Sequence, residues 1–583
     1  MKTNLNFYYS SLIVDTLYEL GIRQVCISPG SRSTPITLAF ARDQRIKKNV
    51  IVDERASAFF ALGLTKLMSQ PVAIVCTSGT AVAELYPAII EAYNSQLPLV
   101  VITADRPSRL LNTGSNQTIN QKNIFEANCK HFVDLGIPEN TESFFVNTIF
   151  SVTQAYSEAV APFNGPVHIN IPLEKPLEPN SFDVEIDDKI DERLREYISE
   201  QQILNFFAEI DESELDELEI YPSKKTIVLL GNDNYSWQFL TRCISFGEKY
   251  KVPVCVESPL KYSVENDSRF IKNFGTLLQS AEFLAKLDVD QIVVFGRNFT
   301  SKNVERFIDK FDRTIVRISI KGEGFGIFSE ERSVLQISND AGLMLLNKSF
   351  ANVSAGENPL YEFLHRSNSQ FLTLLNKRFE NVGFTSELET MALIGKNLVT
   401  DHFVPILLSN SLPVRDYDYL KSLFPDSVLV NRGASGIDGI LATACGVSSF
   451  MMMPTVVILG DLAFHYDSNS LQIIKKYSIP LLVILFNNGG GSIFEYLPVY
   501  EKTEEFSEFF KTATGLNFGK IVEAYGIDYK LVTTSDDLTE SVAKFIKTPS
   551  PTVLEFQFDS TISKERKDKI KNEIISSLKI SEV

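Results

Sequence analysis

Cysteine and histidine are scarce in this sequence, and neither is arranged for metal chemistry. Six cysteines and five histidines are spread over 583 residues. No two cysteines have the C-x-x-C spacing and no two histidines the H-x-x-x-H spacing, which excludes the common zinc patterns. Several cysteines sit inside apolar runs, as Cys255 does in VPVCV, and read as reduced core thiols. Long hydrophobic runs are also missing. The apolar segments have strand length, well short of the roughly 20 residues that span a bilayer. The first ten residues are polar and have no signal-peptide core. Basic excess is absent too: 56 Lys and Arg stand against 73 Asp and Glu, a net charge of −17. That balance argues against general binding to phosphate backbones, so nucleic acid is not an expected partner. Any anionic ligand must be held by locally placed arginines. No strand-like run is followed by G-x-G-x-x-G, so the dinucleotide fingerprint is missing. Low-complexity tracts and repeats of 20–50 residues are absent as well. These absences predict a cytoplasmic soluble protein with no integral membrane segment.

What is present is ordinary globular material, with 44% hydrophobic and 22% charged residues. At roughly 100–200 residues per domain the length suggests about three domains. Residues 23–28 (RQVCIS), 72–77 (VAIVCT) and 99–103 (LVVIT) read as buried strands followed by helical patterns, and 167–171 (VHINI) as a closing strand. The segment 51–55 (IVDER) ends a further short strand, with Glu54 preceding an apolar helix over 56–66. A Pro-, Glu- and Asp-rich stretch at 172–191 reads as a linker. A second series of strands follows at 226–231, 252–257, 291–296 and 314–319, and a third at 404–409, 427–431, 455–460, 480–487 and 552–556. Strands that alternate with helices predict parallel sheets covered on both faces. The expected architecture is α/β, with three domains of helix-flanked parallel sheets. Its boundaries are 1–180, 192–345 and 401–583, with a helical connection over 346–400. The last 20 residues are charged and helical in pattern and read as a surface helix or tail.

Ligands of open α/β sheets sit at the carboxyl ends of strands, so the residues there carry the functional reading. The run 455–460 is followed by Asp461-Leu462-Ala463, and the run 480–487 by Asn488-Gly489-Gly490-Gly491-Ser492. Asp461 and Asn488 are 27 residues apart, about the length of one helical crossover between neighbouring parallel strands. A carboxylate and an amide oxygen side by side suit Mg²⁺ or Ca²⁺, and glycines let the backbone approach a phosphate. On spacing alone, a helix-capping aspartate and an ordinary Asn-Gly turn remain open. Glu54 taken alone reads as a first-turn acid facing the helix dipole.

Longer motifs narrow this reading. They are SPGSRSTP (28–35), DERASAFFALG (53–63), TSGTAVAELYPAIIEA (77–92), TADRP (103–107), GSNQTI (114–119), NSLPVR (410–415), NRGASGIDG (431–439), GDLAFHYD (460–467) and NNGGGSIFEYLP (487–498). With them the chain resembles the thiamine-diphosphate-dependent enzymes. Within that superfamily it resembles the branch of menaquinone biosynthesis that decarboxylates 2-oxoglutarate and adds the succinyl unit 1,4 to isochorismate. One departure is Leu462, where many members carry glycine.

The resemblance implies thiamine diphosphate and Mg²⁺ or Mn²⁺ as cofactors and a transferase activity. It implies Glu54 as the partner of the aminopyrimidine, and Asp461, Asn488 and the Gly490 carbonyl as metal ligands. Ile437, Leu462, Ala463, Gly491 and Ile493 complete the implied cofactor contacts, with Ile437 as the apolar wedge. Two dicarboxylate substrates call for fixed cations, which Arg32, Arg106, Arg415 and Arg432 supply within the motifs, with Lys302 as a further candidate. Ser31, Asn116, Gln117 and Ser411 are the implied polar substrate contacts, with Gln117 also a catalytic candidate. Ile493, Phe494 and Leu497 are the implied apolar wall. In the superfamily the cofactor lies between chains, which implies a homodimer or tetramer. Another 2-oxo acid decarboxylase or carboligase, or a catalytically silent cofactor-binding protein, are the alternatives.

Overall fold

The computed structural model describes residues 2–68, 70–178, 182, 184–203, 220, 222–223, 225–257, 269–321, 332–353, 356–380, 383–399, 403–425 and 427–580. His402, one of the five histidines, lies outside them. The chain forms two compact units.

The first unit comprises Met1–Ala208, Asn431–Met453 and Tyr466–Ile479. It holds a six-stranded parallel sheet with the order Lys47–Val50, Gln24–Ile27, Val72–Cys76, Leu99–Asp105, Pro166–Pro172, His131–Asp134. The runs VAIVC and LVVITAD are buried at every position, because helices cover both sheet faces and leave no polar side to alternate with.

The second unit comprises Glu209–Val430, Pro454–His465 and Pro480–Val583, and holds two further six-stranded parallel sheets. One has the order Phe270–Ile271, Val254–Val256, Thr226–Leu230, Gln291–Phe295, Thr314–Ile318, Arg332–Leu335. The other has the order Val428–Val430, Ile406–Leu408, Thr455–Gly460, Leu481–Asn487, Thr552–Gln557, Asp528–Leu531. Gly460 pairs with Phe486, so the ends of Thr455–Gly460 and Leu481–Asn487 are neighbours. The expected α/β class with helix-flanked parallel sheets is what the chain adopts.

Several local expectations change. Residues 166–172 are interior, because His131–Asp134, too polar to stand out as a strand, pairs outside them. The short strand before Glu54 ends at Val50, and Glu54 is the first residue of the Glu54–Met68 helix. The stretch at 172–191 is more than a linker: Val184–Glu185 pairs with Lys2–Thr3, and the Asp188–Ser199 helix begins within it. The Ser560–Ser576 helix is docked, not a tail, since Ser563, Lys567, Ile570 and Ile574 on it are buried. All six cysteines are free and five are buried, as core thiols should be. Among the described residues no helix is long and apolar enough to cross a membrane.

In the first unit the Glu54–Met68 and Ile440–Met451 helices cross at a pair of glycines. A Cβ on Gly63 would lie 3.0 Å from the Gly446 Cα, and one on Gly446 would overlap the Phe60 carbonyl oxygen. Backbone therefore packs on backbone, with no room for a side chain. Gly446→Ala is expected to lower stability by about 1–3 kcal/mol through overpacking, read as an earlier denaturant midpoint. An unchanged midpoint would show that the two helices are not in such close contact.

Candidate functional site

Ser31, Arg32, Glu54, Arg106, Asn116, Gln117, Arg432 and Ile437 belong to the first unit; the other sequence-predicted site residues belong to the second.

In the first unit, Asp53 caps the helix that Glu54 opens. Its Oδ1 accepts the Ala56 N–H at 2.7 Å, and its Oδ2 accepts from Asn469 Nδ2 at 2.6 Å. This fixes Glu54 in the first turn, half-buried, where burial and then its neighbours Asp53 and Glu84 raise its carboxyl above the ordinary value. A carboxyl so raised can share a proton with a bound group.

At the carboxyl edge of the same sheet, Arg106 donates to Ser78 Oγ and to the Gln117 carbonyl, while Gln117 Nε2 donates to the Ser78 carbonyl at 3.0 Å. Gln117 itself has φ 55, in the left-handed region. Gly79 has φ +85, and a Cβ there would meet Gln117 Cγ at 2.8 Å, so only glycine lets the two loops close. Arg32 Nη1 donates to the Leu173 carbonyl at 2.8 Å. Burial lowers the Arg32 guanidinium below its ordinary value, and the positive charge of Arg106 adds to this. Two cations thus face each other's field at one sheet edge, an arrangement able to attract an anion. Ser31 and Asn116 are exposed next to Arg32 and Gln117 in the chain. Arg432 and Ile437 are half-buried on the segment 431–439, which Glu91 holds by accepting the Gly433 and Ala434 N–H groups at 2.9 and 2.7 Å.

In the second unit, Asp461 is 2% exposed. Its Oδ1 accepts the Leu462 N–H at 2.8 Å and its Oδ2 the Gly490 N–H at 2.7 Å, which ties the two neighbouring strand ends together. Burial pushes this carboxyl up to about 6 despite those bonds. Asn488 Nδ2 donates to Glu387, and its Oδ1 is buried with no partner among the described residues. Gly490 has φ +121, and a Cβ there would overlap the Lys511 carbonyl. The Asp461 carboxylate, the Asn488 amide oxygen and the Gly490 carbonyl are donors of the kind a small hard cation takes. Among the described residues no three His, Cys, Asp or Glu side chains cluster as ligands, which leaves this mixed set. Leu462 and the buried Ala463 follow Asp461 directly, and Gly491 donates its N–H to the Lys511 carbonyl at 2.6 Å. Ile493 and Phe494 lie half-buried in the next turn, with Phe494 edge-on to Phe510 at 6.1 Å; Leu497 is exposed.

Ser411 has φ 73, a strained value for a residue with a side chain, and its carbonyl accepts from Arg415 Nη1 at 2.7 Å. Burial lowers the Arg415 guanidinium, while Asp416 and then Glu305 raise it. Glu305 shares the Lys302–Lys310 helix with the exposed Lys302, so the structure brings that helix near Arg415. Arg32, Arg106 and Arg415 each donate to a backbone carbonyl oxygen, which orients a guanidinium without neutralising it.

Sequence reasoning missed Ser78, Glu91 and Glu387. Ser78 and Glu91 lie inside a quoted motif but were not singled out, and nothing in the local sequence marks Glu387.

Residues 8–124 match the family described as thiamine pyrophosphate enzyme, N-terminal TPP binding domain, and residues 416–556 match its C-terminal TPP binding domain. The 2-succinyl-5-enolpyruvyl-6-hydroxy-3-cyclohexene-1-carboxylate synthase of Bacillus cytotoxicus is 33% identical over 556 residues, covering 92% of this chain and 91% of that protein. The chain belongs to this synthase family. Synthases of the same name from Gloeothece citriformis and Geobacillus thermodenitrificans are each 32% identical, the first covering 91% of both chains and the second 96% of this chain and 94% of its own. The two matched thiamine-pyrophosphate domains of this synthase family contain Glu54 and the Asp461–Asn488 pair respectively.

The buried Asp461 carboxyl makes a testable pH dependence. In the unfolded chain it ionises near about 3.9; in the folded protein it keeps its proton until about 6. Rising pH across that window therefore favours unfolding, by up to about 3 kcal/mol. With divalent cations chelated, Asp461→Asn is expected to gain stability relative to the parent across that window, with no further change above about pH 7. A pH-independent difference in denaturant midpoints would show that this carboxyl carries no such penalty.

Proposed function

We propose that this chain performs the reaction of its synthase family: thiamine-diphosphate-dependent decarboxylation of 2-oxoglutarate and 1,4-addition of the succinyl unit to isochorismate, releasing CO₂, in menaquinone biosynthesis. The observation that carries the reading is near-full-length similarity to synthases of that name, together with a glutamate and an Asp–Asn pair in the two matched domains.

Bound thiamine diphosphate supplies the electron sink for cleaving a 2-oxo acid and transferring the acyl unit. The rest is work for the protein. Asp461, Asn488 and the Gly490 carbonyl would hold the Mg²⁺ or Mn²⁺; the buried Asn488 Oδ1, without a partner among the described residues, supports this. A buried amide oxygen left without a donor costs free energy unless a cation or donor meets it. Ile437, Leu462, Ala463, Gly491 and Ile493 serve as the remaining cofactor contacts. Glu54 would hold or give up a proton at its carboxyl facing the aminopyrimidine, and burial, which raises that carboxyl, supports the task.

The substrates bring carboxylates, and Arg32, Arg106, Arg415, Arg432 and Lys302 are the cations assigned to them. A guanidinium fork meets a carboxylate through two parallel hydrogen bonds, and Arg32, Arg106 and Arg415 are held by backbone carbonyl oxygens that leave their charge in place. Ser31, Asn116 and Ser411 serve as polar contacts. Gln117, whose neutral amide is no acid, orients a reacting group and does not donate the proton itself. Phe494 and Leu497, with Ile493, wall the site and exclude water. The working unit is a homodimer or tetramer in the cytoplasm.

Purified protein with Mg²⁺, thiamine diphosphate, 2-oxoglutarate and isochorismate is expected to consume isochorismate only when the other components are all present. CO₂ release with isochorismate untouched would shift the reading to another 2-oxo acid decarboxylase or carboligase. Glu54→Gln is expected to cut turnover by about 10²–10⁴-fold while the cofactor stays bound, as checked by steady-state rates and cofactor titration. Near-normal turnover in that variant would remove the proton-exchange role.

A further inference from the structure

An asparagine used as a metal ligand carries a built-in ambiguity. Its carboxamide has an oxygen at one end and an NH₂ of almost the same shape at the other, and half a turn exchanges them. Only the oxygen end binds a cation, so something must decide which end faces the site.

At Asn488 the structure supplies the deciding group. The side chain is 8% exposed, and Nδ2 donates to Glu387 Oε1 while Oδ1 is buried without a partner among the described residues. An ionised carboxylate only accepts hydrogen bonds. It attracts the NH₂ and repels the oxygen, which turns Oδ1 the other way. Glu387 opens the Glu387–Leu398 helix and is 3% exposed. A charge that deep needs a counter-charge. Lys567, 1% exposed, provides it, with Nζ 3.4 Å from Glu387 Oε2 and 2.7 Å from Oδ2 of the equally buried Asp416. The Glu387 N–H donates to Ser563 Oγ at 3.1 Å, and Ser563 sits one turn before Lys567 on the Ser560–Ser576 helix.

The same helix reaches the glycine loop a second time. Ser560 Oγ donates to Glu495 Oε1 at 2.8 Å and accepts from Lys511 Nζ at 2.6 Å, and the Lys511 carbonyl accepts the Gly491 N–H. The matched C-terminal thiamine-pyrophosphate domain covers 416–556, so Glu387, Ser560, Ser563 and Lys567 all lie outside it. Three apolar side chains would hold the terminal helix as well as these buried charges, since buried ion pairs are weak sources of stability. An orienting role explains why charges are there.

Resting on the reading of Asn488 as a ligand of the cofactor's cation, we propose that Glu387 and Lys567 are positioning residues that fix the Asn488 carboxamide with its oxygen toward that cation, the terminal helix acting as the brace. The function requires a carboxylate: a glutamine at 387 presents either end of its amide to Asn488 and no longer selects one.

The test uses the full-length enzyme with saturating thiamine diphosphate and Mn²⁺ as probe, free Mn²⁺ being counted by electron paramagnetic resonance. Glu387→Gln is expected to weaken Mn²⁺ binding about 10-fold or more, with kcat largely restored at high Mn²⁺. Should that variant not fold, Glu387→Met, which also leaves the Lys567–Asp416 pair in place, is the second variant, and the same loss is expected. Asn488→Ala serves as the reference. If it weakens Mn²⁺ binding while the Glu387 variant stays within about twofold of the parent, the brace is overturned and the ligand stands. If the Glu387 variant melts earlier with its Mn²⁺ affinity unchanged, the pair is structural only and the proposal falls. If Asn488→Ala itself binds Mn²⁺ normally, the ligand reading falls and the proposal falls with it.

Discussion

A carboxyl group buried where two parallel strands end is the constraint on which the second unit is built. Asp461 follows Thr455–Gly460 directly, and the glycine loop follows Leu481–Asn487 beside it. The carboxyl oxygens take backbone N–H groups from both segments, so the glycine loop cannot shift without breaking a bond to Asp461. Burial makes the ionised form costly, which pushes this carboxyl up to about 6. Asn488 is in the same condition, with its amide oxygen buried and unanswered among the described residues. A buried amide oxygen in that condition is one that a donor or a cation can meet.

The first unit prepares for charge of the opposite sign. Arg32 and Arg106 crowd one sheet edge, and each donates to backbone carbonyl oxygen instead of to a carboxylate. Carbonyl groups orient a guanidinium without neutralising it, so its field stays available to an anionic ligand. In an acidic chain of net charge −17, leaving such arginines unpaired is a local exception to the overall balance. Two of the eleven non-glycine residues with positive φ among the described residues lie at strand-end positions of this kind. Gln117 at φ 55 and Ser411 at φ 73 are both polar residues assigned to substrate contact, and such values persist only where surrounding structure enforces them. At Ser411 the enforcing contact is the Arg415 guanidinium on its carbonyl; at Gln117 it is Arg106 and Ser78.

Much of this was legible in the chain itself. Uniform apolar runs such as TVVILG and LLVILFN announced doubly covered parallel strands, and the carboxyl ends of those strands then pointed to Asp461 and Asn488. The segments that escaped detection were short or polar. HFVD and DYKL are edge strands, where one side meets water and the hydrophobic signal fades. Lys567 escaped for a different reason. It lies in the run KERKDKIKNE, where charge reads as a solvated face, and only the fold shows that this one lysine is 1% exposed against Asp416 and Glu387.

Local sequence determined the α/β class, the family motifs and the polar residues at the strand ends, because hydrophobic period and strand-end chemistry are written within a few residues of one another. Tertiary structure alone decided which buried groups orient them. Glu387 meets Asn488 across 101 positions of chain and Lys567 across a further 79, and no local pattern encodes a contact between residues so far apart. The end of the Asn488 amide that faces the site depends on a carboxylate brought there by folding, since a planar carboxamide has no preference of its own.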